Sequence, residues 1–265
     1  MKKIYQLFLQ FWQNSWKNIR LRLIDNLIGD EEHVILKSKD FKYPNKEEFI
    51  KFHNRCPKLE IFGFKHYHPL ALIVNDRMPM NEASRSSNLY WWDNCLINRF
   101  QKVCHTYVFT LTNYYRGFSD DYKKDTHLQA VNHIMFDYYA EVFYYHFFSA
   151  RDIIAQILCT YFSLALEENT ISFNKTFINT IKDQRIKSIL LKFEDESKDS
   201  KKYRNSFTHR FTPNIPDYRS IVSEDSRVLK FGGGNFIPAE RIIDNINKSL
   251  ISLSDLLIQL KIFIK

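Results

Sequence analysis

The chain has 265 residues, 45% of them hydrophobic and 16% aromatic, which excludes a disordered protein because enough apolar surface exists to offset the entropy of ordering. Six Gly and seven Pro are too few turn-forming residues for a many-stranded sandwich or barrel, so the composition points to an all-α fold. The formal charge of +8 admits an anionic partner without naming one, since scattered lysine also serves solubility.

Ile4, Leu7, Phe8, Phe11, Ile19 and Leu23 recur at near-helical steps, which predicts an opening amphipathic helix that ends at Gly29. Packing against a core is the reading adopted for it; its basic flanks also suit a membrane surface. Gln6 and Gln10 interrupt the apolar stretch and no small-residue cleavage site follows, so a secretory signal is not expected. No apolar run reaches the ~20 residues of a membrane span. Four cysteines at 56, 95, 104 and 159 show neither a CxxC pair nor a framework spacing. Together these features read as a soluble cytoplasmic protein with reduced thiols and no membrane partner.

Between about 30 and 88 the pattern weakens, and Pro44, Pro57, Pro69 and Pro79 divide it into loops with short elements. Residues 1–88 are therefore read as an N-terminal helix and loop extension, and 89–265 as the helical domain. Cys104 beside His105, and His66 near His68, are isolated ligand pairs without a second pair at zinc spacing. No metal and no cofactor is expected.

Leu89, Trp92, Leu96, Phe100, Val103 and Tyr107 mark a helix over 89–116 that Gly117 ends. Residues 127–166 contain no Gly or Pro and read as one long helix or two abutting ones. Along this stretch Ser149, Asp152, Gln156, Cys159, Thr160 and Ser163 form a small, almost uncharged face. A freely solvated face carries Lys and Glu, so this one is expected at an interface or on a cleft floor. Asn174 is a candidate N-cap for a helix over 174–193. A short helix over 199–211 follows, stopped by Thr212-Pro213. Residues 218–237 change period and predict a small β-hairpin around Ser223–Ser226. Gly232, Gly233 and Gly234 lack the Lys-Ser/Thr of a phosphate loop and read as a turn. Pro238 is expected at the first position of the last helix, whose Ile243, Ile246, Leu250, Leu253, Leu257 and Leu260 make a continuous seam.

The chemistry concentrates at 201–210. Lys201, Lys202, Arg204 and Arg210 give four fixed positive charges beside His209, with no acid in the segment. An N-cap at Asp199 or Ser200 puts Arg204 within about two turns of a helix N-terminus, where free amides and the dipole favour phosphate. Asn205 and His209 share a face, whereas Arg204 and His209 diverge by about 140° around a helix. They border one cleft only if a second surface closes over that edge. Histidine, with an unperturbed pKa of about 6.5, suits proton transfer near neutrality. Arginine grips phosphate oxygens with a two-pronged fork. Such a pair can cleave RNA without metal, His209 moving protons at the 2′-hydroxyl and the leaving 5′-oxygen while Arg204 stabilises the phosphorane. Lys201, Lys202, Tyr203 and Arg210 are the candidate RNA-holding residues, and Asp152 is a candidate to orient Arg204 or His209. The same pattern fits a solvated basic helix with a satisfied histidine, and an Asp152 that pairs with Arg151 or a surface lysine.

The run Arg204-Asn205-Ser206-Phe207-Thr208-His209, on a short late helix, resembles the Arg-polar-x3-His signature of the HEPN superfamily, and Tyr203 and Arg210 extend the match. The resemblance covers roughly 89–265. It implies an up-and-down helical bundle, usually a homodimer whose two motifs face each other. Many members are metal-independent endoribonucleases of toxin–antitoxin, abortive-infection or CRISPR-associated defence, which leave a 2′,3′-cyclic phosphate; others are inactive or bind nucleotides. On this resemblance Arg204 and His209 are catalytic, Asn205 orients the arginine or the phosphate, and an antitoxin or sensor protein is an expected partner. In the branch paired with a nucleotidyltransferase antitoxin, a Tyr two residues after the His is modified. Phe211 stands there in this chain, so that control cannot act at this position. A two-fold dimer would supply the two histidines, one as base and one as acid, that transesterification needs.

Overall fold

The computed structural model describes residues 37–121, 124–209, 212–214, 220–222, 229–231 and 236–264. The expected opening helix lies outside the described residues. Eight α-helices occur among those described: α1 (Lys46–His53), α2 (Pro69–Asn75), α3 (Met80–Arg116), α4 (His127–Tyr161), α5 (Lys175–Thr180), α6 (Gln184–Glu196), α7 (Lys198–His209) and α8 (Ala239–Phe263). The architecture is all-α apart from one short ladder, in which Ser220–Val222 pairs antiparallel with Leu229–Phe231. That pairing falls inside the 218–237 stretch, while the connection over 223–228 lies outside the described residues.

Two long antiparallel helices, α3 and α4, form the frame. Thr126 starts α4 with a capping box, its hydroxyl accepting from the Gln129 N–H. Gly117, at φ +89°, ends α3 in a conformation that L side chains rarely adopt. The start of α3 thereby meets the end of α4, and Arg99 meets His146 at mid-length. Helix α8 runs parallel to α4: the N–H of Ala239 reaches Asp120 at one end, and Tyr161 donates to the Phe263 carbonyl at the other. Helices α6 and α7 run back up between them. The core is Leu96 and Val103 of α3, Phe143 and Phe147 of α4, and Ile246 and Leu253 of α8, all fully buried. Each such side chain contributes about 1.5–3 kcal/mol through burial.

Several sequence expectations need correction. The expected helix over 174–193 is two helices, because the Asp183 carboxylate accepts from the N–H groups of Arg185 and Ile186 and starts α6 afresh. Ile178, Ile181 and Ile186 are all buried, so the apolar stripe reads through the break and hides it. Neither Asp199 nor Ser200 caps α7, which begins at Lys198 directly behind α6. Ser200 is instead buried, its hydroxyl 2.6 Å from that of Ser249 on α8. Helix α3 starts at Met80, earlier than expected, and Pro238 is the N-cap of α8, one residue before the helix. The 127–166 stretch is one helix to Tyr161, closed by Ser163 at φ +51°.

Residues 37–79 pack onto α3 through specific polar ties. Asp93, 2% exposed, accepts from the N–H groups of Phe62, Gly63 and Phe64 at 3.0, 2.7 and 3.2 Å. Arg116 grips both carboxylate oxygens of Glu48 and the carbonyls of Lys42 and Tyr43. Among the described residues no helix is long and apolar enough to cross a membrane.

Candidate functional site

Helix α7 has two faces with different work. Ser200, Tyr203 and Phe207 recur at three- and four-residue steps and point inward. The Tyr203 ring stacks on Tyr144 of α4 at 5.9 Å and 5°, and Phe207 packs on the same ring from one turn further on. Tyr144 is itself fixed by donating to Asn245 of α8 at 2.8 Å. Burial raises the Tyr203 hydroxyl pKa. Tyr203, expected to hold RNA, therefore has one ring face covered by Tyr144.

The outer face carries Lys201, Lys202, Arg204, Asn205, Thr208 and His209, all exposed. Lys202 is paired with Asp199 at 2.7 Å, so one of the four charges is partly neutralised from just outside the segment. Arg204 and His209 sit on different sides of this exposed arc, as their spacing requires. Arg210 lies outside the described residues.

Arg204 is steadied by an aromatic ring: its guanidinium lies 5.3 Å from the centroid of Phe148 on α4. Arg151, one turn on, lies 4.7 Å from the same ring and is boxed in by Phe173 and Phe193 at 4.8 and 5.4 Å. Arg151 is 2% exposed and ion-paired with Glu194 of α6, while among the described residues its Nε has no hydrogen-bond partner. Burial holds its pKa below the ordinary guanidinium value, and the nearby Arg204 charge acts in the same direction. Phe148 was not singled out from the sequence, and Arg151 only as a pairing partner for Asp152. The only available signal was an arginine set among apolar residues where solvent exposure was not expected.

Asp152 acts on this group only through its charge, which opposes the effect of burial on Arg151. Its Oδ1 accepts from the Phe173 N–H at 2.8 Å, and among the described residues it makes no hydrogen bond to Arg204 or His209. Its proximity to Phe173 follows from the α4–α5 connection folding back over α4. Gln156, Cys159, Thr160 and Ser163 of the small polar face do floor a cleft, which Ser149 does not line. They line a space of about 280 Å³ together with Asn81, Arg85 and Trp92 from the start of α3.

The chain leaving α7 is anchored five residues after His209. Asn214 is fully buried, and its Nδ2 lies 2.7 Å from His133 Nε2 and 2.8 Å from Asp137 Oδ1. An amide donor there makes Nε2 an acceptor, so His133 carries its proton on Nδ1 and donates it to Asp125 at 3.1 Å. Burial keeps His133 below its usual pKa despite the adjacent carboxylate. Among the described residues no group of three or more His, Cys, Asp or Glu side chains is arranged to hold a metal ion.

No curated protein and no solved structure matches the chain. The sequence model of the Cthe2314-like HEPN family does match, over residues 91–262. That span is well over half of the chain and contains most of α3, all of α4, all of α7 with Arg204 and His209, and nearly all of α8. RNA cleavage and nucleotide binding are both common among HEPN domains. On this match, and on the helical bundle that carries it, the chain belongs to the Cthe2314-like HEPN family.

Proposed function

We propose that the protein is a metal-independent endoribonuclease that acts in the cytoplasm as a homodimer and serves as a defence effector or toxin. The observation that carries this reading is the division of α7. Packing takes Ser200, Tyr203 and Phe207, and leaves Arg204, Asn205 and His209 exposed together on the outside. In this reading 89–265 is the catalytic domain and 1–88 an extension attached to it. Two copies related by a two-fold axis bring two α7 helices face to face, which closes the gap between Arg204 and His209. One His209 takes the 2′-hydroxyl proton, the 2′-oxygen attacks phosphorus, and the other His209 protonates the departing 5′-oxygen. Arg204 holds the phosphoryl oxygens as charge builds on them, and Asn205 donates to the same group. Lys201 and Lys202 attract the backbone of single-stranded or looped RNA. An antitoxin or sensor protein restrains the activity until it is needed.

A second reading is a non-catalytic RNA- or nucleotide-binding module, or a protein-interaction module. It is favoured by the absence, among the described residues, of any hydrogen bond that orients His209, since a general base is ordinarily held by a partner. RNA digestion in chelator separates the two. The nuclease reading requires cleavage to a 2′,3′-cyclic phosphate by the wild type, and its loss in both His209→Ala and Arg204→Ala. Cleavage by none of the three, or equally by all, refutes it.

A further inference from the structure

We propose that Cys56 and Cys104 are an oxidative modification site, at which an intramolecular disulfide joins the N-terminal extension to the first long helix of the bundle. The two sulfurs lie 2.8 Å apart, although 48 positions separate them in the chain. A disulfide needs about 2.05 Å, so less than an ångström of closure is required.

The surroundings hold the thiols in place. Cys56 sits in the turn after α1, its N–H bonded to the His53 carbonyl at 3.0 Å. Cys104 lies within α3, where the helix fixes its backbone. Between them α1 is clamped to α3: Phe52 stacks on Tyr115 at 5.2 Å, and Arg55 donates to the Tyr115 hydroxyl at 3.1 Å. Both cysteines are half-buried, so neither is sealed from a small oxidant.

The other two cysteines have a different setting. Cys159 is buried, with its thiol 3.5 Å from the Leu164 carbonyl, and burial raises the pKa of both Cys159 and Cys95. Cys104 differs in direction. It shares a hydrogen bond with Cys56, in which either sulfur can donate, and this bond brings its pKa below the ordinary thiol value against the opposing effect of burial. In the proposed sequence Cys104 supplies the thiolate, since the thiolate is the nucleophile.

The oxidant is a hydroperoxide such as hydrogen peroxide. The Cys104 thiolate attacks one peroxide oxygen, the O–O bond breaks, and the departing hydroxide takes a proton to become water. Cys104 is then a sulfenic acid. The Cys56 sulfur attacks the Cys104 sulfur, the S–S bond forms, the S–O bond breaks and a second water leaves. Overall two thiols and one peroxide give one disulfide and two waters, so the sulfurs lose two electrons and the peroxide gains them. The bond closes a loop that contains α2 and the first part of α3, and ties residues outside the family match to residues within it. The proposal does not depend on the nuclease reading.

The test uses the full chain, reduced, freed of reductant, treated with one equivalent of hydrogen peroxide, alkylated and digested with trypsin. Mass spectrometry is expected to find the peptide of residues 56–58 linked to that of residues 103–116, with two of the four cysteines alkylated. Reductant should restore all four to alkylation. On a non-reducing gel the oxidised chain should remain a monomer. Oxidation should raise the wild-type melting temperature by several degrees, and leave that of Cys56→Ser or Cys104→Ser unchanged. The alkylation map needs no variant, so a poorly folding serine variant does not blunt the test. Four alkylated cysteines, a link through Cys95 or Cys159, a crosslink between chains, or Cys104 oxidised without a link would each overturn the proposal.

Discussion

Arg204 and Arg151 share one aromatic ring, the Phe148 side chain lying 5.3 Å from the first guanidinium and 4.7 Å from the second. Two like charges gather on this ring because Glu194 pairs with the buried one, while the exposed one makes no ion pair among the described residues. If Arg204 binds phosphate, Phe148 limits how far its side chain wanders. Phe148→Ala is then expected to weaken RNA binding about 2- to 5-fold through the lost cation–π contact. Phe148→Tyr should retain it. Filter binding of a labelled single-stranded RNA, with circular dichroism to confirm folding, checks both.

The Arg151–Glu194 pair behaves differently when broken and when removed. Glu194→Ala strands a charge that is 2% exposed among three phenylalanine rings, and is expected to cost about 3–5 kcal/mol. Replacing both partners, Arg151→Met with Glu194→Met, should lie within about 1 kcal/mol of wild type or above it. Urea denaturation of the three proteins decides; a double variant as unstable as the single one contradicts this account.

Asp93 fixes the bend at Phe62–Phe64. Asp93→Ala orphans three backbone N–H groups at once, and a loss of about 2–4 kcal/mol is expected. Hydrogen exchange should show faster exchange at the amides of Phe62, Gly63 and Phe64 with little change in α8. Uniform acceleration across the bundle would mean that the extension and the bundle unfold as one unit.

Stability should also fall on mild acidification. His146 accepts from Arg99 at 2.8 Å, and burial, then Arg99 and Lys102, bring its pKa from 6.5 down to about 4. The neutral ring is the form the fold prefers. Its contribution is therefore complete above the unfolded value near 6.5 and is lost as pH falls towards 4. The ring is partly exposed, so solvent screening limits the effect to on the order of 1 kcal/mol. His133, also lowered by burial, adds a loss of the same sign. Melting curves at several pH values should show His146→Gln with a shallower acid slope than wild type.

What was legible in the sequence followed from local pattern. The seam of α8, the Gly- and Pro-free helical stretch of α4 and the Arg204–His209 spacing all depend on residues a few positions apart. The uncharged face at Gln156, Thr160 and Ser163 was legible by omission, since a helix face without Lys or Glu is seldom left to solvent. The features not foreseen join distant segments. Phe148 meets Arg204, Asp152 turns to Phe173, and Asn214 reaches His133, each pairing fixed by how the helices cross. The break at Asp183 escaped for the opposite reason: a strong apolar stripe masked a local capping signal.

The two faces of α7 also bear on how such a protein changes over evolutionary time. Within twelve residues, the letters that pack the helix and the letters proposed to make it reactive are different letters. A lineage that exchanges Arg204 or His209 keeps Tyr203, Phe207 and Ser200 and therefore keeps its bundle. On the nuclease reading, silencing the chemistry, or restoring it, is then within reach of a single codon, and a nuclease and an inert binder can be near neighbours on the same scaffold.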